Sequence, residues 1–173
     1  MSHHPSYYQG SGGMRAALIA AIIDAARPIY KKLLDEARRA LNDGHNEMAV
    51  VLSQTAAELC TEATISTLLR RRDIEALADP LLDLFSATDI CNDRLRKIYE
   101  TLANDKIEKA KFWLNLRTHH KRRNLIVHRG EKCSPEDARG SVEAVEQFIQ
   151  HAELILKNQR DYEAMATKKD SSP

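Results

Sequence analysis

The sequence predicts an all-α chain folded as an antiparallel bundle of four to five helices, and three observations carry that expectation. Apolar residues recur at three- and four-residue spacing over long stretches, no segment alternates with period two, and β-branched residues form few clusters. At 173 residues with 43 % hydrophobic side chains, the chain suits one domain built on one sizeable core.

The first 13 residues, rich in Ser, Gly and Tyr, are expected to form a flexible leader, and a helical bundle is expected over 14–158. Ile19, Ile22, Ile23, Ala26, Ile29, Tyr30, Leu33, Leu34, Ala37 and Leu41 place one amphipathic helix from about Met14 to Leu41, which Pro28 should kink or split. Asn42-Asp43-Gly44 is a turn. A second helix, carrying Val51, Leu52, Ala56, Leu59, Cys60, Ala63 and Leu69, ends at Arg70-Arg71-Arg72, where cations oppose the negative helix terminus.

A shorter helix follows around Leu77 to Phe85, interrupted at Asp79-Pro80. Thr88 is placed as the N-cap of another, with Cys91, Leu95, Ile98, Tyr99 and Leu102 on one face. Asn104-Asp105 breaks or bends the path into a helix from Lys106 to about His128. Ser134-Pro135-Glu136-Asp137 then supplies an N-cap, a proline at the first helical position and two acids in the first turn. The final helix carries Val142, Val145, Phe148, Ile149 and Ile155, and the polar tail, 159–173, should fray. There is no internal repeat.

The 26 basic and 25 acidic side chains nearly cancel, so any nucleic-acid binding has to come from a local patch. Three cysteines, an odd number, fit a reduced cytoplasm better than a disulfide framework. No run of eighteen apolar residues or secretion signal is present, so no membrane association is expected.

The local patch is THHKRRNLIVHRGEK, Thr118 to Lys132, in which the apolar triplet Leu125, Ile126 and Val127 sits inside concentrated positive charge. One explanation is a solvated basic helix end, where cations are favoured by roughly 0.3–1 kcal/mol each. The other is a site where arginine and histidine act together on a phosphate. On a helix Asn124 and His128 share a face, Arg123 can swing to the same spot, and the apolar triplet points in three other directions.

Arg123-Asn124-Leu125-Ile126-Val127-His128 resembles the R-x4–6-H motif of the HEPN family, including the polar residue that commonly follows the arginine. The context is also similar: an all-α chain with the motif late in the penultimate long helix, a short loop, then a capped amphipathic helix. AAELCTEATISTLL, Ala56 to Leu69, resembles the second-helix region of HEPN proteins, and the resemblance covers Asp43 to Asn158. It implies a HEPN-like bundle acting as a metal-independent ribonuclease, with no cofactor, in which two copies of the motif meet across a two-fold axis. Toxins, antiphage effectors and RNA-processing enzymes are the roles it implies, with an antitoxin or a nucleotidyltransferase as partner.

Carried over, Arg123 and His128 take the catalytic roles and Asn124 the supporting one; Arg122 is also at a permitted spacing from His128. The chemistry is that of RNA itself, whose 2′-OH, once deprotonated, is a nucleophile already placed beside phosphorus. A histidine with an ordinary pKa near ~6.5 exchanges that proton near neutrality. The guanidinium stabilises charge on the non-bridging oxygens, leaving a 2′,3′-cyclic phosphate and a 5′-OH. Arg117, Lys121, Arg122, Arg129 and Lys132 would hold the flanking phosphates.

Competing assignments are a non-catalytic HEPN-like adaptor for nucleotide, RNA or protein, and a helix-turn-helix DNA binder supported only by the basic run. His119-His120 with His128 as metal ligands is disfavoured, because adjacent helical side chains diverge by about 100° and no carboxylate or Cys stands at ligand spacing. Glu58 and Glu62 are expected on a solvated face, with Glu58 available to orient the catalytic turn. Phe112 and Trp113 are expected in the core or an interface rather than stacked on a base. His45 and His151 belong to no constellation.

Overall fold

The computed structural model of the chain describes residues 25–85 and 88–170, with side chains given as far as Gln159. The expected leader, 1–13, and the opening of the first predicted helix, 14–24, lie outside the described residues. The described chain is all-helical: α1 Ile29–Asn42, α2 Asn46–Arg70, α3 Ala78–Leu82, α4 Asp93–Ala103, α5 Trp113–Arg129 and α6 Pro135–Asp170, with 3-10 turns at Glu75–Leu77 and Ile107–Lys109. The expected helical bundle is what the chain forms.

Pro28 splits the first helical stretch: Ala25 and Ala26 are helical, Pro28 is extended at ψ 141°, and α1 starts at the next residue. At the far end Gly44 adopts φ +79°, which lets the chain turn straight into α2. That helix is the hub, packing against α1, α4, α5 and α6. A helix surrounded on so many sides has to be slim, and α2 buries Ala49, Ala56, Ala57 and Cys60 beside Ile65 and Leu68. Thr61 and Thr64 are buried with them because their hydroxyls donate to the carbonyls of Ala57 and Cys60, at 2.9 and 2.7 Å. Ala63, expected in the apolar stripe, is exposed instead.

The arginines ending α2 satisfy carbonyls beyond their own turn. Arg71 donates to Leu156 at 2.7 Å, and Arg72 to Leu68 and Leu102 at 2.9 and 2.5 Å, so this end is fastened to α6 and α4.

Three expected boundaries are corrected. Asp79-Pro80 does not interrupt a helix: Pro80 is the third residue of α3, where the missing N–H has no acceptor to lose. Thr88 is not an N-cap; Asn92 caps α4, accepting from the N–H groups of Arg94 and Leu95 at 3.0 and 3.3 Å. The helix expected from Lys106 begins only at Trp113. Asn104 turns left-handed at φ +50°, the buried Ile107 anchors a 3-10 turn, and Ala110 is extended at ψ 142°.

Before α6 the sequence is obeyed closely. Ser134 Oγ accepts from the N–H of Asp137 at 3.1 Å and donates to its carboxylate at 2.9 Å. The tail expected to fray after Gln159 continues as helical backbone to Asp170. One main core joins α1, α2, α4, α5 and α6, and a small satellite of Val50, Cys133 and Ala138 receives Ile126 and Leu41. Among the described residues no helix is long and apolar enough to cross a membrane.

Candidate functional site

The basic stretch is the C-terminal half of α5, and the burial pattern divides that helix into two faces. Leu116 and His119 are buried against the bundle, with Trp113 and Phe112 at the helix start. Both aromatics are in the core: Phe112 lies edge-on to His151 with ring centres 5.4 Å apart, and the Arg96 guanidinium sits 5.4 Å from the Trp113 ring. The outward stripe is Arg117, Lys121, Asn124 and His128, spaced four, three and four, with Leu114 73 % exposed beside it. Gly130 ends α5 at φ +64°, its N–H donating to Ile126 at 2.9 Å.

Cys91, Arg117, His120, Lys121, Asn124 and Leu125 line an open groove of about 520 Å³. A second hollow, about 270 Å³, lies across the wall made by Lys121 and Leu125 and includes Arg122 and Lys132. Arg129 is exposed and lines neither. Of the apolar triplet, Ile126 packs on the satellite core and Leu125 is half-buried, but Val127 is 48 % exposed.

The two adjacent arginines have different surroundings. Arg122 donates from Nη1 to the buried Ser141 hydroxyl at 2.7 Å and from Nη2 to Asp137 at 2.5 Å, tying α5 to the start of α6. Arg123 donates from Nη1 to Asn124 Oδ1 at 3.1 Å and has no carboxylate partner among the described residues. Its Nε is buried with no hydrogen bond.

Asn124 passes the connection on, Nδ2 lying 2.9 Å from His120 Nε2, and His120 Nδ1 is bonded to Asp89 Oδ2. Because a guanidinium has only donors, the amide oxygen must face Arg123 and the amide nitrogen His120. His120 Nε2 is then an acceptor, and its proton sits on Nδ1 facing Asp89. The bond to Asp89 raises the His120 pKa above the ordinary value, against burial and Arg123 and with help from Glu58. Burial works to raise Asp89, but the bonds from His120 and from the Cys91 N–H, the latter 2.9 Å long, hold it below the usual carboxylate range.

This Asp89–His120 pair was missed in the sequence. His120 stands four residues before Asn124, which is a usable signal; Asp89 comes from a distant loop and has none. Glu58 supports that loop through its backbone, its carbonyl oxygen accepting from Thr88 Oγ1 at 3.1 Å, while its carboxylate accepts from Gln54 at 2.9 Å. Glu62 is exposed, as a solvated face requires.

The motif is thus partly assembled within one chain. Arg123 and Asn124 are bonded; His128, one turn beyond Asn124, is exposed and bonded to neither. His119 and His120 diverge, one into the core and one to Asp89, and among the described residues no three His, Cys, Asp or Glu are placed to hold a metal. His119 is fully buried with no hydrogen bond to either ring nitrogen, and burial lowers its pKa to about 4. His151, assigned to no constellation, bonds Asp105 at 2.8 Å; His45 is an exposed residue before α2.

Compared with models of protein families, with curated proteins and with solved structures, the chain matches none.

Proposed function

We propose that this chain is a metal-independent endoribonuclease of the HEPN type, working as a homodimer in which the outward stripes of two α5 helices approach each other. The observation that carries this reading is the division of labour at Arg122-Arg123. One guanidinium is consumed by Asp137 and Ser141, whereas its half-buried neighbour has no carboxylate partner among the described residues, which leaves its charge free for an anionic ligand. Arg123 is therefore assigned as the catalytic arginine, Asn124 as its support, and the exposed His128 as the proton-transfer group. Arg117 and Lys121 in the groove, with Arg129 and Lys132 beyond it, hold flanking phosphates.

In this mechanism His128 takes the 2′-OH proton, the oxygen attacks the adjacent phosphorus, and Arg123 stabilises the phosphorane oxygens as the 5′-oxygen leaves. A second copy supplies what one chain lacks, an Arg–His pair in contact, and the exposed Leu114 and Val127 give such an interface apolar area. The three free cysteines suit work in the cytoplasm. A toxin, antiphage or RNA-processing role follows, with an antitoxin or nucleotidyltransferase as partner. The second reading, a binding or adaptor module, is favoured by the separation of His128 from Arg123 within one chain.

The test is incubation of labelled RNA with the purified protein in EDTA, followed by identification of the new ends. Cleavage to 2′,3′-cyclic phosphate and 5′-OH ends, lost in His128→Ala, is expected. Salt-dependent RNA binding with no cleavage selects the adaptor.

A further inference from the structure

The hydrogen-bond chain through His120 was absent from the motif and has a direction. Arg123 donates to Asn124 Oδ1, Asn124 Nδ2 donates to His120 Nε2, and His120 Nδ1 faces the Asp89 carboxylate at ion-pair distance. The orientation of every member follows from the ends: a guanidinium cannot accept and a carboxylate cannot donate. We propose that His120, fixed by Asp89, is a positioning residue for Arg123, its neutral ring holding the Asn124 amide in the one orientation that presents an oxygen to the guanidinium. The inference rests on the ribonuclease reading for its catalytic consequence, and on the geometry alone for the coupling.

A proton added to His120 Nε2 turns an acceptor into a donor and sets N–H against N–H. The amide relieves this only by turning over, which then directs its own N–H groups at Arg123. Protonation of His120 therefore releases Arg123. The charged and titratable groups around the ring are Asp89 from the loop before α4, Glu58 from α2, and Arg123 and His119 from α5 itself. Asp89 and Glu58 favour the imidazolium, and burial and Arg123 oppose it, so the release belongs at a pH above that of an ordinary histidine. His120 touches no reacting atom in this scheme; it acts through Asn124.

His120→Gln separates position from titration. The glutamine oxygen can accept from Asn124 and its amide can donate to Asp89, with no proton to gain. His120→Ala should lower kcat by about ten- to a hundredfold with little change in KM, since a guanidinium displaced by an ångström loses that much while the groove cations remain. His120→Gln should rescue most of this loss. The acid limb of the wild-type pH–rate profile should be steeper than loss of one proton, and should fall to one proton in His120→Gln.

The coupling is read independently of cleavage from the Arg123 Nε–H signal in 15N–1H spectra across pH. It should move with the His120 titration in the wild type and stay still in His120→Gln. With Asp89→Asn, both midpoints should move down together, a check that applies even if the glutamine variant unfolds. An Arg123 signal in the wild type that ignores the His120 titration overturns the proposal, as does an Asp89→Asn variant in which the two midpoints part. Coupling in a wild-type protein that cleaves no RNA sinks the ribonuclease reading and leaves the positioning intact.

Discussion

Arg122 Nη2 and Asp137 Oδ1 meet at 2.5 Å between α5 and the first turn of α6, an ion pair that ties the two helices together, while the adjacent Arg123 has no carboxylate partner among the described residues. Arg122→Ala should lower stability by about 1–3 kcal/mol, because it breaks a half-exposed pair and leaves the buried Ser141 hydroxyl without its partner. Arg123→Ala should leave the melting temperature nearly unchanged and lower cleavage by at least about a hundredfold. Thermal melts of both variants beside cleavage rates check the assignment. A melting loss confined to Arg123→Ala would reverse the roles.

His119 should make the protein sensitive to acid on its own. Its folded pKa of about 4 lies below the ordinary 6.5, so the unfolded chain binds the proton first. The stability its neutral form contributes is fully present above pH 6.5 and lost as pH falls towards 4. His119→Leu should therefore gain on the wild type by about 2 kcal/mol between pH 7.5 and pH 5. Urea unfolding at the two values measures the change. A constant difference between the proteins would mean that the ring has a partner or is solvated.

Phosphate-holding cations and structural cations should separate in salt. Charge reversal at Arg117, Lys121 and Lys132 should weaken RNA binding and flatten its salt dependence by about 0.7 in log–log slope for each single-strand phosphate that is no longer neutralised. Arg122→Glu should alter stability more than slope. A slope untouched by the triple reversal places RNA on another face.

The sequence showed most of the architecture wherever a local rule decided the outcome. Ser134 caps α6, Pro28 splits the first helical stretch and Gly44 turns into α2, each for a reason contained in a few neighbouring residues. Boundaries failed where a longer-range interaction won. Thr88 has the chemistry of an N-cap, but its hydroxyl goes to Glu58 on α2, and Asn92 takes the cap. Asn104 could have bent or broken the chain, and the burial of Ile107 is consistent with the break. At the site, Arg123, Asn124 and His128 were legible as a spacing along one helix. The Asp89–His120 bond was not, because it forms only when the loop before α4 folds over α5. Nor could the spacing show that Asp137 and Ser141 hold Arg122, and not Arg123, across a helix interface.

The central claim is that cleavage takes place at a site shared by two copies, and mixed dimers of Arg123→Ala and His128→Ala test it most directly. Each variant alone should be inactive, yet a dimer pairing the two retains one Arg123 and one His128 on opposite chains in the same site. The two variants are co-expressed with different tags, the heterodimer is isolated by both, and its RNA cleavage is compared with that of either homodimer. Activity restored only in the heterodimer is the expected result. A heterodimer as inactive as its parents, while wild-type/variant heterodimers retain cleavage, would contradict the shared site.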